Sequence, residues 1–363
     1  MASRRQFLKV LGGGTIVAAS MAAGFVATRT PHAALAPWKV ASYADPRKQA
    51  LAFAILSPNP HNIQPWLIEM LGEDSFFIHR DKTRELPETD PFQRQLYIGL
   101  GCFTENMVLA AGAAGWKAQV TPFPAGDDGP VAFVKFVKGA SKDPLADQII
   151  RRHSDKGPFE PRSLSNDHIT ALDGFADLYT DPEDVAKIRA MTKRAFEIES
   201  LTPHTLKESI DLIRVGKAEI NANPDGIELR EPMLEVLRRT GLLTSEVLAD
   251  TDHPGFKGQM RGYFEMLDAT QSYAVITTSG NTRKDQLDAG RRFMRLGLKT
   301  TELGVGLHPV SQALQEYVEM KDEFALAHRL LATEGHSVQM LSRLGYGSSA
   351  IATPRWDLET RIL

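Results

Sequence analysis

The chain has 363 residues, of which 42% are hydrophobic and 24% charged, a composition typical of a protein with a buried core rather than of a disordered or multi-span membrane protein. Its length suggests about two domain-sized units. The net charge of -3 leaves no bulk positive field for nucleic acid. The single cysteine, Cys102, excludes an intramolecular disulfide framework and a site built from paired thiolates.

The N-terminal segment has the pattern of an export signal. Arg4 and Arg5 precede an uncharged run over residues 10–27, and the small residues of 33–36 fit a cleavage site. The pattern resembles a twin-arginine signal, read by translocation machinery that carries folded proteins; the alternatives are a Sec signal or an uncleaved membrane anchor. We expect residues 1–36 to be removed, which leaves 38 basic and 45 acidic residues and a net charge of -7. The mature protein is then expected in the periplasm or cell envelope, without stable membrane insertion.

The elements of the first part of the chain alternate between helix and strand. A helix over 46–56 must end at Pro58 and Pro60, because proline cannot continue a helix and pushes its predecessor toward extended geometry. The pattern then predicts strands, a helix rich in small residues, and a further strand: 66–70, 76–79, about 91–114, and 131–137. We place the end of this first unit, residues 37–140, near Gly139.

The second part, residues 141–363, is richer in helix. A short helix over 143–150 leads into a basic segment, and residues from about 165 to 268 are helical in period with Pro/Gly turns. The remaining predicted elements are strands, helices and a connecting turn: strand 273–278, helix 285–303, turn 304–310, a helix from 311 and strand 337–344. Helices and strands alternating in both parts predict an α+β or α/β domain.

A basic segment opens the second part. Arg151, Arg152, Ser154 and Lys156 lie within six residues, and guanidinium forks, an ammonium group and a hydroxyl suit a phosphate dianion. The alternative is a solvated basic turn. Near the C-terminus, Arg343 and Arg355 flank a Gly-Tyr-Gly turn and form a second, weaker candidate for phosphate binding.

The loop after the first helix carries side-chain amides. Asn62 and Gln64 lie in a proline-stiffened stretch that ends at Trp66. An amide both donates and accepts hydrogen bonds, so such a pair can match a flat ring whose edge alternates C=O and N–H groups. The alternative is a capped turn with Trp66 in the core.

Other apparent motifs do not indicate chemistry. Gly304-Val305-Gly306 lacks the third glycine of a dinucleotide fingerprint and follows a helix rather than a strand. The ten histidines are scattered without ligand spacing, so no metal site is expected. His61 and His153 are better explained as hydrogen-bonding or ring-packing residues than as general bases, and Cys102 as an inert buried thiol.

Taken together, the basic segment, the amide loop and the C-terminal arginines resemble the FMN-binding motifs of the nitroreductase superfamily. The stretch Arg152-His153-Ser154-x-Lys156 resembles its opening FMN-binding motif, and 57–66 resembles the loop that lines the flavin ring. Residues 99–115 resemble its central helix, 302–306 the turn over the isoalloxazine, and Arg343 to Arg355 the terminal phosphate-binding segment.

The order of these motifs is informative, because single-domain members carry the basic motif before the amide loop and pair two chains around each flavin. Here the loop comes first, which resembles the fused, internally duplicated Acg-like branch. No second amide loop follows Lys156, so one FMN per chain is expected. The resemblance implies a nitroreductase-like α+β fold, an internal pseudo-dimer, and a helical insertion over about 165–268 that includes a lid at about 200–262.

The resemblance also implies the activity. An external donor would reduce FMN to the hydroquinone, and a flat acceptor, a nitroaromatic or a quinone, would then be reduced; the flavin carries the chemistry, so no catalytic side chain is required. The alternative is a lidded protein that stores or sequesters FMN with little turnover. The residues expected to bind FMN are Pro58, Asn59, Asn62, Gln64, Arg152, His153, Ser154, Lys156, Leu303, Gly304, Arg343 and Arg355.

Overall fold

The computed structural model describes residues 28–347 and 350–363, so the twin-arginine pattern at Arg4 and Arg5 lies outside the described residues. The helices and strands of the described part form a mixed α+β structure with antiparallel sheets. The α+β class predicted from the sequence is therefore confirmed.

Twelve α-helices occur in the described part. They are α1 (His32–Leu35), α2 (Pro46–Ala54), α3 (Arg94–Ala113), α4 (Asn166–Leu172), α5 (Pro182–Leu201), α6 (Pro203–Asp211), α7 (Gly216–Ala222), α8 (Pro232–Arg239), α9 (Ser245–Ala249), α10 (Pro254–Asp268), α11 (Arg283–Leu303) and α12 (Lys321–Leu331).

Ten strands form two four-stranded sheets and one short pair. They are β1 (Trp66–Leu71), β2 (Ser75–Arg80), β3 (Trp116–Pro122), β4 (Ala132–Lys138), β5 (Asp177–Tyr179), β6 (Ile213–Val215), β7 (Ile227–Leu229), β8 (Ser272–Thr278), β9 (Gly306–Pro309) and β10 (Ser337–Gly345). The first sheet has the order β1-β2-β4-β3 and the second β5-β8-β10-β9, both antiparallel throughout, while β6 and β7 pair in parallel.

The main core joins α2, α3 and α11 to one face of each large sheet. A second cluster fills the other face of the second sheet with α5, α10 and α12. The two long helices cross at glycines: a Cβ on Gly101 would lie 2.1 Å from the carbonyl oxygen of Leu287, and one on Gly290 would lie 2.0 Å from that of Ile98. Small residues in α3 therefore allow the two helices to approach closely. Of the helices in the described ranges, α3 alone is long and apolar enough to cross a membrane. However, 83% of its apolar stretch is buried inside the protein.

The ends of these helices have local causes. Before α3, the Asp90 carboxylate accepts hydrogen bonds from the backbone N–H groups of Gln95 and Leu96 at 3.1 and 2.9 Å, which satisfies donors that a helix N-terminus leaves free. At the start of α11, Thr282 and Asp285 form a reciprocal capping box. At its end, Gly304 has φ +68, a left-handed conformation that glycine adopts without strain.

Several predicted elements differ from those observed. The helices predicted over 143–150 and from 311 are 3-10 turns, Pro144–Gln148 and Ser311–Leu314, and the turn predicted over 304–310 contains strand β9. Strand β3 was not predicted, although Trp116, Ala118 and Val120 alternate with polar residues and pack against the main core, which is the period of a half-buried strand.

The N-terminal part of the fold begins inside the predicted signal. Ala34 is 2% exposed, its N–H donates to Asn221 Oδ1 at 3.0 Å, and its carbonyl accepts from the Arg355 N–H at 2.9 Å. Trp38 Nε1 donates to the Thr353 carbonyl at 2.7 Å. The boundary predicted at residue 36 therefore divides a packed segment, which we call the N-terminal strap (residues 32–39).

Candidate functional site

The candidate site is a cavity of about 500 Å³, within the range of about 300–1,000 Å³ typical of small-molecule sites. Its walls come from the loop after α2, from α3, from the basic segment 152–156, from the helical region 196–263, and from the segments that follow β9 and β10. Residues from before position 70 and after position 150 thus face one cavity, which is the arrangement that the predicted site required.

The loop after α2 has an unusual backbone. His61, Asn62 and Gln64 have φ of +45, +53 and +53, left-handed values that cost energy in residues other than glycine and that cluster at functional sites. Gln64 secures this conformation: its Nε2 donates to the Pro224 carbonyl at 2.7 Å and its Oε1 accepts from the Trp356 N–H at 2.9 Å. Gln64 is fully buried and braces the loop from outside the cavity.

Two arginines meet beneath this loop. The guanidinium groups of Arg152 and Arg355 each donate to the Leu56 carbonyl at 3.2 Å. Arg355 also donates to the Ser57 carbonyl at 3.0 Å and to Asn62 Oδ1 at 2.8 Å. These bonds join the amide loop, the basic segment and the C-terminal tail at the cavity wall.

The positive charges of this wall lack anionic partners. Arg152 and Arg355 are 5% and 3% exposed; burial lowers the pKa of Arg152 to about 10, and burial together with the charge of Arg152 lowers that of Arg355 to about 9. Lys156 is exposed to the cavity, yet desolvation by the surrounding protein lowers its pKa, which the carboxylate of Glu228 opposes. No ion pair links any of these three cations to a carboxylate within the described ranges, and Glu228 itself pairs with Arg230.

Unpartnered donors indicate the kind of ligand that this wall can bind. Nε of Arg152 and Nε of Arg355 are buried without a hydrogen-bond partner. Buried charges are costly unless paired, so an anion with several acceptor oxygens would satisfy both the charges and the free donors. The carbonyls of Leu56 and Ser57 orient the two guanidinium forks before such an anion arrives.

His153 belongs to the same wall. Its ring lies 4.4 Å from that of Trp38, and the Arg355 guanidinium lies 5.4 Å from the Trp38 ring. Burial and the charges of Arg152 and Arg355 lower the pKa of His153 to about 4, so the imidazole is neutral at physiological pH. Its buried Nδ1 has no partner, and a neutral ring can either donate or accept a hydrogen bond.

A second set of polar residues lines another part of the cavity wall. We call it the carboxyl group cluster, and it consists of Glu199, Tyr263, Gln312 and Gln315. Glu199 on α5 accepts a hydrogen bond from Gln315 Nε2 at 2.7 Å, and Gln312 Nε2 donates to the Tyr263 hydroxyl at 3.1 Å. His61 Nε2 lies 4.0 Å from Glu199 Oε1. Around this cluster the cavity wall is apolar and aromatic. The side chains that form it include Phe196, Leu206, Ile210, Leu248, Phe256 and Met260.

The structure brings eight of the twelve predicted FMN-binding residues to the cavity: Pro58, Asn59, Asn62, Arg152, His153, Ser154, Lys156 and Arg355. Gln64, Leu303, Gly304 and Arg343 do not line it. Arg343 donates to the carbonyls of Met266, Asp155 and Gly157 and to His308 Nδ1. Its guanidinium is fully engaged by the protein, so the predicted pair of C-terminal arginines is corrected to Arg355 alone.

The other departures also have simple causes. Gly304 ends α11, and Leu303 packs against the main core. Cys102 reaches the cavity wall, but its thiol donates to the Gly290 carbonyl at 3.2 Å and burial raises its pKa to about 12, which fits the inert thiol expected. Sequence reasoning missed the carboxyl group cluster, because Glu199 is far in the chain from Gln312 and Gln315 and the three match no local motif.

Comparisons with known proteins place this site in context. No family model matches the chain. Structural comparison aligns part of the chain with the FMN-dependent nitroreductase NfnB from Mycobacterium smegmatis in complex with NADPH (TM-score 0.36, 14% identity, 60% of this chain and 96% of that one). It also aligns part of the chain with a nitroreductase with bound FMN from Bacteroides fragilis (TM-score 0.33, 11% identity, 60% of this chain and 95% of that one).

The curated relatives come from Mycobacterium tuberculosis. An uncharacterized protein is 23% identical over 318 residues, 85% of this chain and 88% of its own length. The protein named "Putative NAD(P)H nitroreductase acg" is 33% identical over 122 residues, 31% of this chain and 35% of its own length. The chain resembles the Acg-like nitroreductases. The superfamily resemblance drawn from the motifs is thereby confirmed.

Proposed function

We propose that the protein is an FMN-dependent oxidoreductase of the nitroreductase type that binds one FMN per chain. The observation that carries this proposal is the cluster of Arg152, Lys156 and Arg355 at the wall of one cavity, where none of the three forms an ion pair within the described residues and the nearby Glu228 pairs with Arg230 instead. The relatives named as NAD(P)H nitroreductases support the same activity.

The residues of the cavity fit a phosphorylated flavin. Arg152, Lys156 and Arg355 would hold the phosphate, and the free Nε donors of the two arginines would complete its hydrogen bonds. Ser154 and Asn62 offer a hydroxyl and an amide in the same cavity, suited to the ribityl chain and the polar edge of the ring. FMN, when bound, supplies hydride and electron transfer.

The chain's own residues orient the substrates and limit water. Lid residues from α5 to α10 form one wall of the cavity, and excluding water strengthens hydrogen bonds inside it. We propose NADH or NADPH as the donor and a nitroaromatic or quinone as the acceptor, because the nicotinamide ring and these acceptors are flat and match aromatic walls such as Phe196 and Phe256.

The lid also favours a second candidate function. Its wall includes Phe196, Leu206 and Tyr263, and a lid that stays closed would keep donors from the flavin. The protein would then hold FMN and turn over slowly or not at all.

We further propose that the chain is an internal pseudo-dimer. When the four strands of each large sheet are numbered in chain order, their spatial order across the sheet is first, second, fourth, third in both sheets. In each sheet a long helix, α3 or α11, connects the second strand to the third. The two helices contact each other at Gly101 and Gly290, as related elements of two joined halves would.

Export by the twin-arginine route is also proposed, on the pattern around Arg4 and Arg5. Changing both arginines to lysine should retain the precursor in the cytoplasm. Unchanged secretion would point to the Sec route, and a membrane-bound precursor would point to an anchor.

The test of FMN binding is the absorbance spectrum of the purified protein. The wild type should carry flavin absorbance, and the double variant Arg152→Ala/Lys156→Ala should lose it. Arg151→Ala is the matched control, because Arg151 is exposed and its side chain hydrogen-bonds to Gln148. A colourless wild type that binds no added FMN would refute the proposal.

Turnover is tested separately on the coloured protein. Anaerobic addition of NADH, NADPH or dithionite should bleach the flavin, and menadione or nitrofurazone should restore its colour. Flavin that none of the three donors reduces would favour the holding function.

A further inference from the structure

The carboxyl group cluster has no role in binding the phosphate. Glu199 is 9% exposed, and within residues 28–347 and 350–363 no arginine or lysine forms an ion pair with it. The nearest basic group is His61, at 4.0 Å. A carboxylate buried without a cation is costly, so the neutral, protonated acid is favoured at this position.

Hydrogen bonds around Glu199 leave part of the cluster unsatisfied. Gln315 Nε2 donates to Glu199 Oε1 at 2.7 Å, but Gln315 Oε1 has no partner although the residue is only 4% exposed. Buried polar atoms are nearly always hydrogen-bonded. An unpartnered amide oxygen beside a carboxyl group, both at a cavity wall, indicates a place for a polar ligand group.

The surroundings of the cluster define the shape of that ligand. The Phe196 and Tyr263 rings stack with centroids 3.6 Å apart, and Leu206, Phe256 and Met260 contribute further apolar wall. Flat apolar molecules bind such walls, with a few polar groups fixing their orientation.

We propose that Glu199, Gln312, Gln315 and Tyr263 form the acceptor subsite, that its ligand is a neutral quinone, and that Glu199 supplies a proton to the reduced quinone oxygen. This inference rests on the proposed function, which provides the hydride.

The step balances. Reduction of a quinone to a hydroquinone consumes two electrons and two protons; a hydride delivers both electrons and one proton. The second proton passes from the Glu199 carboxyl to the quinone oxygen, so an O–H bond breaks on Glu199 and another forms on the product. The resulting carboxylate recovers its proton from water.

The titratable groups that face Glu199 keep their charge state over neutral pH. Burial raises the pKa of Glu199 itself, while hydrogen bonds from Gln315 and Gln312 lower it in part. Burial lowers the pKa of His61, on the loop. Burial and the charge of Glu199 raise the pKa of Tyr263 on α10 and of Tyr317 beyond the 3-10 turn. Loss of the acid form of Glu199 is therefore the expected change as pH rises.

The first experiment measures protonation without turnover. Infrared difference spectra of the purified protein between acidic and alkaline pH should contain the band of a buried protonated carboxyl. Burial also raises the pKa of the Asp90 and Glu228 carboxyls, so the Glu199 contribution is isolated by subtracting the Glu199→Gln difference spectrum from that of the wild type. Glu197→Gln should keep this contribution, because Glu197 is exposed on the same helix. A wild-type spectrum identical to that of Glu199→Gln in this region would overturn the inference, since Glu199 would then be an ionised partner of an imidazolium on His61.

The second experiment measures the binding and reduction of menadione. Glu199→Gln should slow the reoxidation of the dithionite-reduced holoprotein by menadione about 100-fold or more, with FMN affinity unchanged. The wild-type rate should fall tenfold per pH unit above the pKa of Glu199, and the Glu199→Gln rate should be independent of pH. Gln315→Leu removes a hydrogen bond to the carboxylate, so its profile should shift to higher pH.

The outcomes separate this inference from the proposed function. Equal reoxidation rates in the wild type, Glu199→Gln and Glu197→Gln would refute the role of Glu199 and leave FMN binding intact. A protein that binds no FMN would refute the proposed function, and the proton-transfer role with it. In that case tryptophan-quenching titrations with menadione still decide the subsite, which fails if Glu199→Gln and Gln315→Leu bind menadione as the wild type does.

Discussion

Arg152 and Arg355 both donate to one carbonyl, that of Leu56, which holds two positive charges side by side in a buried wall. Their repulsion is unfavourable unless an anion lies between or beside them. Guanidinium forks suit this task better than ammonium groups, because planar donors bind a protein carbonyl and a phosphate oxygen at once. The wall is thus organised for an anion before the anion binds.

The number of bonds made by Arg355 leads to the first prediction. Arg355→Lys should weaken FMN binding about 10- to 100-fold, because lysine cannot reach the Leu56, Ser57 and Asn62 acceptors and a phosphate together, and each bond to a charged group contributes about 1.5–3 kcal/mol. Titration of the apoprotein with FMN, followed by flavin fluorescence, measures the loss. Arg151→Lys is the control, and equal affinities in the two variants would show that the fork of Arg355 is dispensable.

A buried carboxyl at the start of α3 leads to the second prediction. Burial raises the pKa of Asp90 to about 6, although the charge of Arg94 lowers it in part, whereas the unfolded chain has the ordinary value of 3.8. The folded state therefore binds the proton more tightly, so this stabilisation is complete below about pH 4 and is lost as pH rises through about 6.

Asp90→Asn removes this titration. The difference in unfolding free energy, wild type minus variant, should decrease by on the order of 3 kcal/mol between about pH 4 and pH 7, measured by urea unfolding at both values. Asp128→Asn, in an exposed turn, should give the same difference at both. A pH-independent difference for Asp90→Asn would contradict the prediction.

At the scale of elements, the crossing of α3 and α11 is the tightest packing in the core. A Cβ on Gly290 would lie 2.0 Å from the Ile98 carbonyl oxygen, a separation that only movement of a helix can relieve. Gly290→Ala should reduce the unfolding free energy by about 1–3 kcal/mol, the usual cost of overpacking, as measured by thermal or urea unfolding.

The control for this substitution lies on α10. Gly262 is exposed and nothing lies within 4 Å of a Cβ placed there, so Gly262→Ala should stabilise the protein by about 0.4–1 kcal/mol. Equal effects of the two substitutions would mean that the helices separate at no cost.

The same elements explain how far the sequence could be read. Helix α11 and strands β8 and β10 have strong periodicity and clear ends, such as Thr282 and Gly304, and were predicted closely. Strand β9 was predicted as a turn because this four-residue strand begins with glycine and ends with proline, which are typical of turns. Its pairing with β10 depends on residues that are distant in the chain. Local patterns report local preferences, while pairing and lid contacts depend on tertiary structure.

The residues of the candidate site also differ in whether the local sequence indicates them or only tertiary packing brings them together. Arg152, Lys156 and Asn62 belong to short motifs and were found from the sequence. Glu199 and Gln315 meet only because α5 packs beside the 3-10 turn after β9, and no spacing in the chain encodes that contact. Arg343 matched a motif, but its guanidinium N–H groups donate to the surrounding backbone carbonyls.

At the scale of the whole molecule, the N-terminal strap connects distant parts of the chain. Ala34 bonds to α7 through Asn221 and to the tail through Arg355, and Trp38 contacts His153 and Thr353. The strap thus fixes the backbone of Arg355 in the cavity wall and packs against the neighbouring histidine. Removing it should disturb both stability and FMN binding.

A chain beginning at residue 37, the predicted product of signal cleavage, loses Ala34, whereas one beginning at residue 28 keeps the strap. We expect the shorter chain to be less stable by about 1–3 kcal/mol, since the two hydrogen bonds of Ala34, its small apolar contact and the ion pair of Arg29 with the buried Glu235 are lost. Its melting temperature should fall by about 2–4 °C per kcal/mol, and its FMN affinity should fall as the Arg355 backbone loses its anchor at Ala34. Differential scanning calorimetry and FMN titration of both chains measure these effects. Identical melting temperatures and affinities would mean that the strap is dispensable, so that cleavage after residue 36 would leave the site intact. A large loss of stability and affinity would mean that any processing has to occur before the strap.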